Sequence, residues 1–317
     1  MKTLTQHITE RLQLNKDRVK KTPYEYYEYF PETQEELNTI IKDITNKHKN
    51  DKIIDLNIID TSKITNMEYL FYESRYNYDI SEWNVSNVCD MHCMFSYSQF
   101  NNDISQWDVS RVEDMHCMFS HSLFNNDISQ WNVSNVTNME GMFRESEFNQ
   151  DISTWNVSSV LNMRNMFYDS KFNKDISQWD VSQVKYMYHM FGYSKFNCDI
   201  SKWDVSSVET MAHMFNTSIF NQDISQWNVS QVKDMAQMFA YSKFNKDISK
   251  WNVSRVKDMS LMFYDSKFNQ DISEWDVSNV KNMDKMFKNS NFNQDLTPWK
   301  NKIKNKKQLK DIQDYTK

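Results

Sequence analysis

Cysteine and histidine residues are grouped in two neighbouring segments of the chain. The first segment carries Cys89, His92 and Cys93, and the second carries His116 and Cys117, which lie 24 positions after His92 and Cys93. Thiolate and imidazole groups are the typical ligands of zinc. The spacing matches no closed zinc motif, however, and duplicated repeats would share these residues by descent alone. The sequence therefore leaves two interpretations open. These residues bind zinc, or they recur only because one repeat was duplicated.

Tyrosine and histidine supply a second group of candidate residues, at positions that differ between repeats. Tyrosine is favoured where proteins contact other molecules, because its ring buries a large area and its hydroxyl forms hydrogen bonds. If these side chains share one surface, we expect a protein or glycan to bind there; scattered, solvated tyrosines are the alternative. The candidate binding residues are Tyr168, Tyr186, Tyr188, His189, Tyr193, His213, Tyr241 and Tyr264.

Aspartate recurs every 24 residues along most of the chain. Stacked carboxylates ~4.8 Å apart would repel one another by roughly 1 kcal/mol per neighbour, so something must compensate them. We expect each carboxylate to accept a hydrogen bond from backbone N–H groups at its turn, helped by the serine that follows. A column of calcium ions is the alternative. The aspartates are Asp79, Asp103, Asp127, Asp151, Asp175, Asp199, Asp223, Asp247, Asp271 and Asp295.

Composition excludes several classes of function. The two glycines, Gly141 and Gly192, are too few for the phosphate loops of Rossmann and P-loop proteins, and we expect no cofactor. No nucleophile, base and orienting group recur together, so we expect no enzymatic activity. The net charge of -6 argues against a nucleic-acid partner, since phosphate affinity comes from lysine and arginine.

The elements that must position these residues follow one period. All ten tryptophans, from Trp83 to Trp299, are spaced 24 residues apart. A fixed period of this size indicates stacked repeats in a single elongated body. In the unit of residues 149–172, the residues predicted to form the core are Ile152, Trp155, Val157, Val160, Met163, Met166, Phe167 and Phe172.

Two spacings within one repeat predict two elements. Val160, Met163 and Phe167 lie on one face of about two helical turns, with Ser158 as a plausible N-cap. The segment 172–177 is too short for a helix and is predicted to be extended. We therefore expect an α/β solenoid of the leucine-rich-repeat type, with one short strand and one short helix per repeat. A parallel β-helix is less favoured, because its turns rely on glycine.

The N-terminal part is predicted to be a helical cap. Leu4, Ile8 and Leu12 recur at helical spacing. Thr33 and Glu36 form a capping box ahead of a second apolar stripe, which predicts a second helix ending near residues 46–50. Tail residues Ile303, Leu309 and Ile312 favour a partly helical C-terminal cap.

The domain boundaries follow from these patterns. We assign residues 1–50 to the helical cap, 51–299 to the repeat solenoid and 300–317 to a basic C-terminal tail or cap. The solenoid divides into a degenerate first repeat (55–78), regular repeats (79–294) and a partial last repeat (295–299).

The sequence says little about location. Its four cysteines are too few and too unevenly placed for a disulfide framework. The first 21 residues lack the apolar core of a secretory signal, and no run reaches the ~18 apolar residues of a membrane span. Cell surface, virion and cytoplasm stay open, as does the oligomeric state.

The repeat FNQDISTWNVSSV, followed by Met and Met-Phe, resembles the BspA-like leucine-rich-repeat surface proteins. The resemblance extends from the helix FPETQEELNTIIKDI to Trp299 and implies a surface-exposed interaction or adhesion module with no catalytic residues. We therefore expect a non-enzymatic repeat scaffold for protein or glycan binding. The opening, MKTLTQHITERLQLNK, also resembles the starts of proteins encoded by gut bacteriophages. That likeness implies the alternative, a structural component of a virion or other assembly that docks through its cap and solenoid face.

Overall fold

The structure, a computed structural model, describes residues 26–303 of the chain. The first helix predicted from the sequence, within residues 1–25, and the tail from residue 304 lie outside the described residues. The elements, in chain order, are helix α1 (Gln34–His48), strands β1 (Ile54–Asp55) and β2 (Tyr78–Asp79), and the 3₁₀ helix η1 (Thr297–Asn301).

Parallel pairing joins each repeat to the next. Strands β1 and β2 form a two-stranded parallel sheet in which Ile54 pairs with Tyr78. Further along, a column of isolated parallel bridges continues from repeat to repeat, as between Asn162 and Tyr186. Equivalent residues therefore lie side by side, which brings side chains 24 positions apart in sequence into contact.

Each repeat contains a turn segment whose N–H groups point to the next repeat. In residues 163–169, the N–H groups of Met163, Asn165, Phe167 and Asp169 donate to carbonyl oxygens of the following repeat at 2.8–3.0 Å. Met166 and Tyr168 donate to the carbonyl oxygens three positions back, at 3.3 and 3.1 Å, and Arg164 donates to Oδ1 of Asn162 at 3.2 Å. The segment is thus a series of turns cross-linked to its neighbour.

The short helix predicted within each repeat does not form in the described chain. Its place, in residues 160–167, is taken by this turn segment. Alternate N–H groups donate between repeats, so they are not available for i to i−4 bonds. Asn165 also has a φ of 54°, which is incompatible with a right-handed helix.

Within residues 26–303, the predicted short strand forms as β1 and β2. In a regular repeat the same position contains no strand in this part of the chain. There a side chain supplies the contact between repeats, as where the N–H of Asn173 donates to Oδ1 of Asn149 at 2.9 Å. Nine such bonds form a continuous asparagine column, because an amide oxygen replaces the backbone carbonyl.

The predicted core is confirmed. All eight apolar residues of the unit 149–172 are at most 3% exposed. Phenylalanine rings stack along the molecule, with Phe143 and Phe167 centred 5.8 Å apart at 8°. Each ring covers its equivalent in the next repeat, so the core is one unbroken apolar column.

Helix α1 covers the first repeat, as the capping box predicted. Thr33 Oγ1 accepts from the N–H of Glu36 at 3.2 Å, and Leu37, Ile41 and Ile44 are buried. The aromatic segment before the helix joins the same repeat through a parallel bridge between Tyr29 and Ile59. Helix α1 and the segment before it therefore cover apolar side chains and backbone groups at the N-terminal end of the stack.

The last repeat closes with η1. Trp299 is fully buried there, and its ring stacks on Trp275 at 6.4 Å. Just beyond, Lys302 Nζ donates to the carbonyl oxygens of Ser273, Glu274 and Trp275 at 3.2–3.4 Å. One ammonium group thus satisfies three carbonyl groups at the end of the stack.

Candidate functional site

The turn segments together form one surface, which we call the turn face. It consists of residues 162–169 and their equivalents in the other repeats. Two residues in each regular turn segment have a positive φ, as His189 (55°) and Tyr193 (58°) do. Such conformations are strained for residues other than glycine by about 1–3 kcal/mol each. They persist because the hydrogen bonds between repeats hold the segment on both sides.

Five of the eight candidate binding residues meet on the turn face. The ring of His189 lies between Tyr168, at 5.1 Å and 1°, and Tyr188, at 4.5 Å and 5°. His213 contacts His189 edge-on at 4.2 Å, and Tyr193 contacts Tyr168 at 5.4 Å. We call these five residues the aromatic cluster.

Burial makes the two histidines of the cluster weak bases. Loss of hydration, followed by the nearby His213, lowers the pKa of His189 to about 4. Loss of hydration also lowers the pKa of His213. Both rings are therefore neutral at neutral pH. The His189 Nε2 atom is buried and has no hydrogen-bond partner within the described chain, which leaves a polar atom at the centre of an apolar patch.

Gly192 has no Cβ atom, which leaves room for the ring of Tyr168 in the cluster. A methyl group at that position would lie 3.3 Å from Cδ2 of Tyr168. The guanidinium of Arg144 lies 5.3 Å from the centre of the Tyr168 ring and is paired with the carboxylate of Glu145 at 3.2 Å. The patch is thus aromatic in its middle and bordered by an ion pair.

The other three candidate residues lie outside the cluster. Tyr186 stacks under the guanidinium of Arg164 at 4.0 Å. Tyr241 and Tyr264 form a separate edge-on pair at 5.2 Å. Tyr193 and Tyr241 are 48% and 51% exposed, so both groups of tyrosines reach solvent.

A second aromatic group, near the N-terminal end, was not predicted from the sequence. Tyr72 contacts Tyr69 at 5.5 Å and Tyr97 at 5.9 Å, and all three are exposed. Tyr97 stacks on His121 at 4.1 Å. Repeat position was the signal that could have found them, because Tyr97 occupies the same position as Tyr193.

The five residues of the predicted zinc site are only partly brought together. His92 and His116 stack at 4.5 Å and 8°, and the backbone N–H of Cys93 donates to the carbonyl oxygen of His116 at 2.9 Å, beside Cys117. Cys89 is exposed, and its Sγ lies 3.8 Å from the carbonyl of the nearby Asn87.

A different set of ligand atoms converges at His92. Its Nδ1 lies 2.8 Å from Asp90 Oδ1 and 3.6 Å from Glu68 Oε2. Within residues 26–303 this is the group of three whose ligand atoms all lie within 4.8 Å of one another. One nitrogen and two carboxylate oxygens suit a divalent cation. Glu68 and Asp90 were missed. Repeat stacking places Glu68 beside His92, and a local turn in which the N–H of His92 donates to Asp90 Oδ1 places Asp90 there.

Asp114 holds the ring of His116. Its Oδ1 lies 2.8 Å from His116 Nδ1. This contact, followed by the nearby Cys93, raises the pKa of His116 to about 10. The neighbouring Cys117, His116 and Tyr69 side chains lower the pKa of Cys93, which burial alone would raise.

The aspartates form local turns. Asp151 Oδ1 accepts from the N–H of Ser153 at 2.9 Å, and this bond lowers the pKa of Asp151. All ten aspartates accept the same backbone bond from the residue two positions later, so each carboxylate has its own donor.

Stacked units of one length, cross-linked by their turn segments and bearing variable side chains on one face, define a tandem-repeat protein. The chain belongs to the family described as "Mycoplasma protein of unknown function, DUF285", whose model matches residues 37–146, 120–219, 144–245, 171–267 and 216–315. The overlapping matches reflect the repetition. No curated protein and no solved structure matches the chain. None of the helices in the described range is long and apolar enough to cross a membrane.

Proposed function

We propose that this protein is a non-enzymatic solenoid scaffold of the leucine-rich-repeat class whose turn face binds a protein or glycan. The observation that carries the proposal is the aromatic cluster of Tyr168, Tyr188, His189, Tyr193 and His213. In finer form, the proposal is an adhesion module of the BspA-like type.

The chemistry of the cluster supports binding over mere solvation. Aromatic rings that stay at a protein surface contribute large apolar contact areas, and tyrosine is enriched at interfaces. The stacking of His189 between Tyr168 and Tyr188 restricts these rings before a ligand arrives. Less side-chain entropy is then lost on binding, which favours affinity.

The polar groups of the cluster suit a ligand that carries hydroxyl or amide groups. Tyr193 is 48% exposed, and its phenolic hydroxyl can both donate and accept a hydrogen bond. Arg144, beside Tyr168, donates from Nε and Nη2 to Oε1 of Glu145 at 3.2–3.3 Å, so the edge of the cluster is an ion pair that also offers polar contacts.

The test is binding by a variant that removes two tyrosine rings of the cluster. Tyr168→Ala combined with Tyr193→Ala removes the half-buried ring of Tyr168 and the exposed ring of Tyr193, and leaves the half-buried His189 in place. The matched control is Leu161→Ala, which removes an apolar side chain that is 40% exposed and has no part in the cluster. Binding is measured on a glycan array and by pull-down from host-cell membrane extracts.

We expect the double variant to lose binding by roughly 30-fold or more, as for aromatic interface anchors. The control should bind as the unaltered protein does. Equal binding by all three proteins, with unchanged circular dichroism, would mean that the aromatic cluster is not the binding surface.

A further inference from the structure

Two carboxylates converge on one ring nitrogen at the junction between the degenerate first repeat and the regular repeat that follows it. Asp90 Oδ1 lies 2.8 Å and Glu68 Oε2 lies 3.6 Å from Nδ1 of His92, and the ligand atoms of all three lie within 4.8 Å of one another. Two ligands bound to one metal ion at ~2.0–2.2 Å are about 2.8–3.6 Å apart at octahedral or tetrahedral angles. The two distances at Nδ1 therefore already match those of a coordination shell.

The backbone fixes Glu68 opposite Asp90 and His92. The N–H of Met67 donates to the Asp90 carbonyl at 2.9 Å, and the N–H of Tyr69 donates to the His92 carbonyl at 3.0 Å. Glu68 lies between these two bonds, so the two repeats hold its Cα atom in place. Asp90 is held on its own side, because its Oδ1 accepts from the N–H of His92 at 2.9 Å.

The imidazole ring of His92 is held by two neighbouring rings. The ring of His116 stacks on it at 4.5 Å, and Tyr69 contacts it edge-on at 4.9 Å. The His92 side chain is 15% exposed, whereas those of Asp90 and Glu68 are 32% and 37% exposed. The site is thus shielded on the imidazole side and open to solvent on the carboxylate side, which suits a metal ion that keeps water ligands.

The negative charge of the site is not balanced by a basic side chain. Within the part of the chain that the structure describes, neither Glu68 nor Asp90 forms an ion pair with lysine or arginine. Asp90 is within hydrogen-bonding distance of His92 Nδ1, but Glu68, at 3.6 Å, is not. One ring proton cannot satisfy two carboxylates, and their charges repel each other. A divalent cation would contact both carboxylates and the ring nitrogen at once.

The full set of ligands is present at one junction. In the next repeat Asp114 lies 2.8 Å from His116 Nδ1 in the same way, but His92 stands where the first junction has a glutamate. One repeat further, Glu140 replaces the histidine. Among the described residues, a group of three converging ligands therefore forms only at the junction that carries Glu68.

We propose that Glu68, Asp90 and His92 bind a divalent transition-metal ion that links the first two repeats. Imidazole nitrogen together with carboxylate oxygen favours ions such as Mn²⁺, Fe²⁺ or Zn²⁺ over Ca²⁺ and Mg²⁺, which take oxygen ligands. Nδ1 coordinates through its lone pair, so the ring carries its proton on Nε2 and the metal replaces the hydrogen bond to Asp90. This site shares only His92 with the zinc site predicted from the sequence and contains no cysteine.

The experiment uses Mn²⁺ as the probe, because it prefers oxygen and nitrogen ligands to thiolates and so avoids the cysteines near His92. Full-length protein is titrated with Mn²⁺, and the bound ion is measured by electron paramagnetic resonance. Spin-echo modulation reports a coordinated nitrogen. We expect one bound Mn²⁺ per chain with an imidazole nitrogen coupling. An equal concentration of Zn²⁺ should displace it, since zinc binds such ligands more tightly, and Ca²⁺ should not.

Two variants remove one ligand each, and a third is the control. Glu68→Gln and His92→Gln should each weaken Mn²⁺ binding by at least about tenfold, and His92→Gln should also abolish the nitrogen coupling. Glu147→Gln removes an exposed carboxylate in another repeat and should bind as the unaltered protein does. Circular dichroism verifies that each variant is folded.

Three results would overturn the proposal. The first is no binding of Mn²⁺ at millimolar concentration. The second is an affinity in Glu68→Gln equal to that in Glu147→Gln. The third is a nitrogen coupling that is absent from the unaltered protein or that persists in His92→Gln.

Discussion

The indole N–H of Trp179 donates to the backbone carbonyl of Ile152, in the preceding repeat, at 3.1 Å. Both residues are buried. All ten tryptophans make the same bond to the residue 27 positions earlier. The tryptophans therefore fill the core and also join each repeat to the preceding one by a hydrogen bond from side chain to backbone.

Replacing one tryptophan tests this bond. Trp179→Phe should leave the Ile152 carbonyl buried without its donor, at a cost of about 1–3 kcal/mol, with more for the cavity left by the smaller ring. The free energy is measured from urea unfolding. The control is Tyr193→Phe, at an exposed position, for which we expect a change within about 0.5 kcal/mol. Equal stabilities of the two variants would contradict a role for the bond.

The aspartate turns predict a difference between two substitutions at one position. Asp151→Asn keeps an oxygen that accepts from the Ser153 N–H, whereas Asp151→Ala removes it. We expect the alanine variant to be less stable than the asparagine variant by about 0.5–1.5 kcal/mol. Thermal unfolding of both proteins provides the measurement. If the aspartates instead served as calcium ligands, calcium would stabilise the unaltered protein and not the asparagine variant.

A side chain at Gly141 is predicted to be destabilising, although equivalent residues such as Asn165 carry one at a similar φ. The φ of Gly141 is +59°, and an added Cβ would lie 2.9 Å from Cys117 Sγ. Gly141→Ala should therefore cost at least about 1–2 kcal/mol from the backbone conformation alone. Gly192→Ala is the matched control, because a Cβ there meets only the Tyr168 ring, at 3.3 Å, and two backbone carbonyl oxygens beyond it.

A double-mutant cycle separates the two causes at Gly141. Cys117→Ala removes the sulfur, so Gly141→Ala should cost less in that background than in the unaltered protein. The remaining cost then reports the backbone conformation. Identical costs in both backgrounds would show that the sulfur contact does not matter.

The aromatic cluster predicts that stability depends on pH. The pKa of His189 is lowered to about 4 from the ordinary 6.5, so the unfolded chain binds more protons between those values. The free energy of unfolding should then fall as pH drops from about 6.5 to about 4 and be insensitive to His189 at higher pH. The measurement is urea unfolding at several pH values. His189→Asn, which suits a positive φ, should reduce the slope; an unchanged slope would assign the pH dependence to other groups.

Much of the architecture follows from local pattern. The 24-residue spacing of Trp155 and its equivalents indicated stacked repeats, and the spacing of Met163 and Phe167 identified buried residues. The capping box at Thr33 located the start of α1. Burial and helix capping depend on residue type and near neighbours, so a single repeat carries enough information to predict them.

Tertiary contacts decided the rest. The spacing of Val160, Met163 and Phe167 is compatible with a helix, but N–H groups shared with the next repeat produce turns, and positive φ values follow at Asn165 and Asp169. In this chain, the sequence alone determined the period, the core and the capping helix. Only the stacking of the repeats decided which side chains meet. The contacts of Cys93 with His116 and of Tyr168 with His189 lie between repeats, and sequence spacing does not show which side chains of neighbouring repeats face each other.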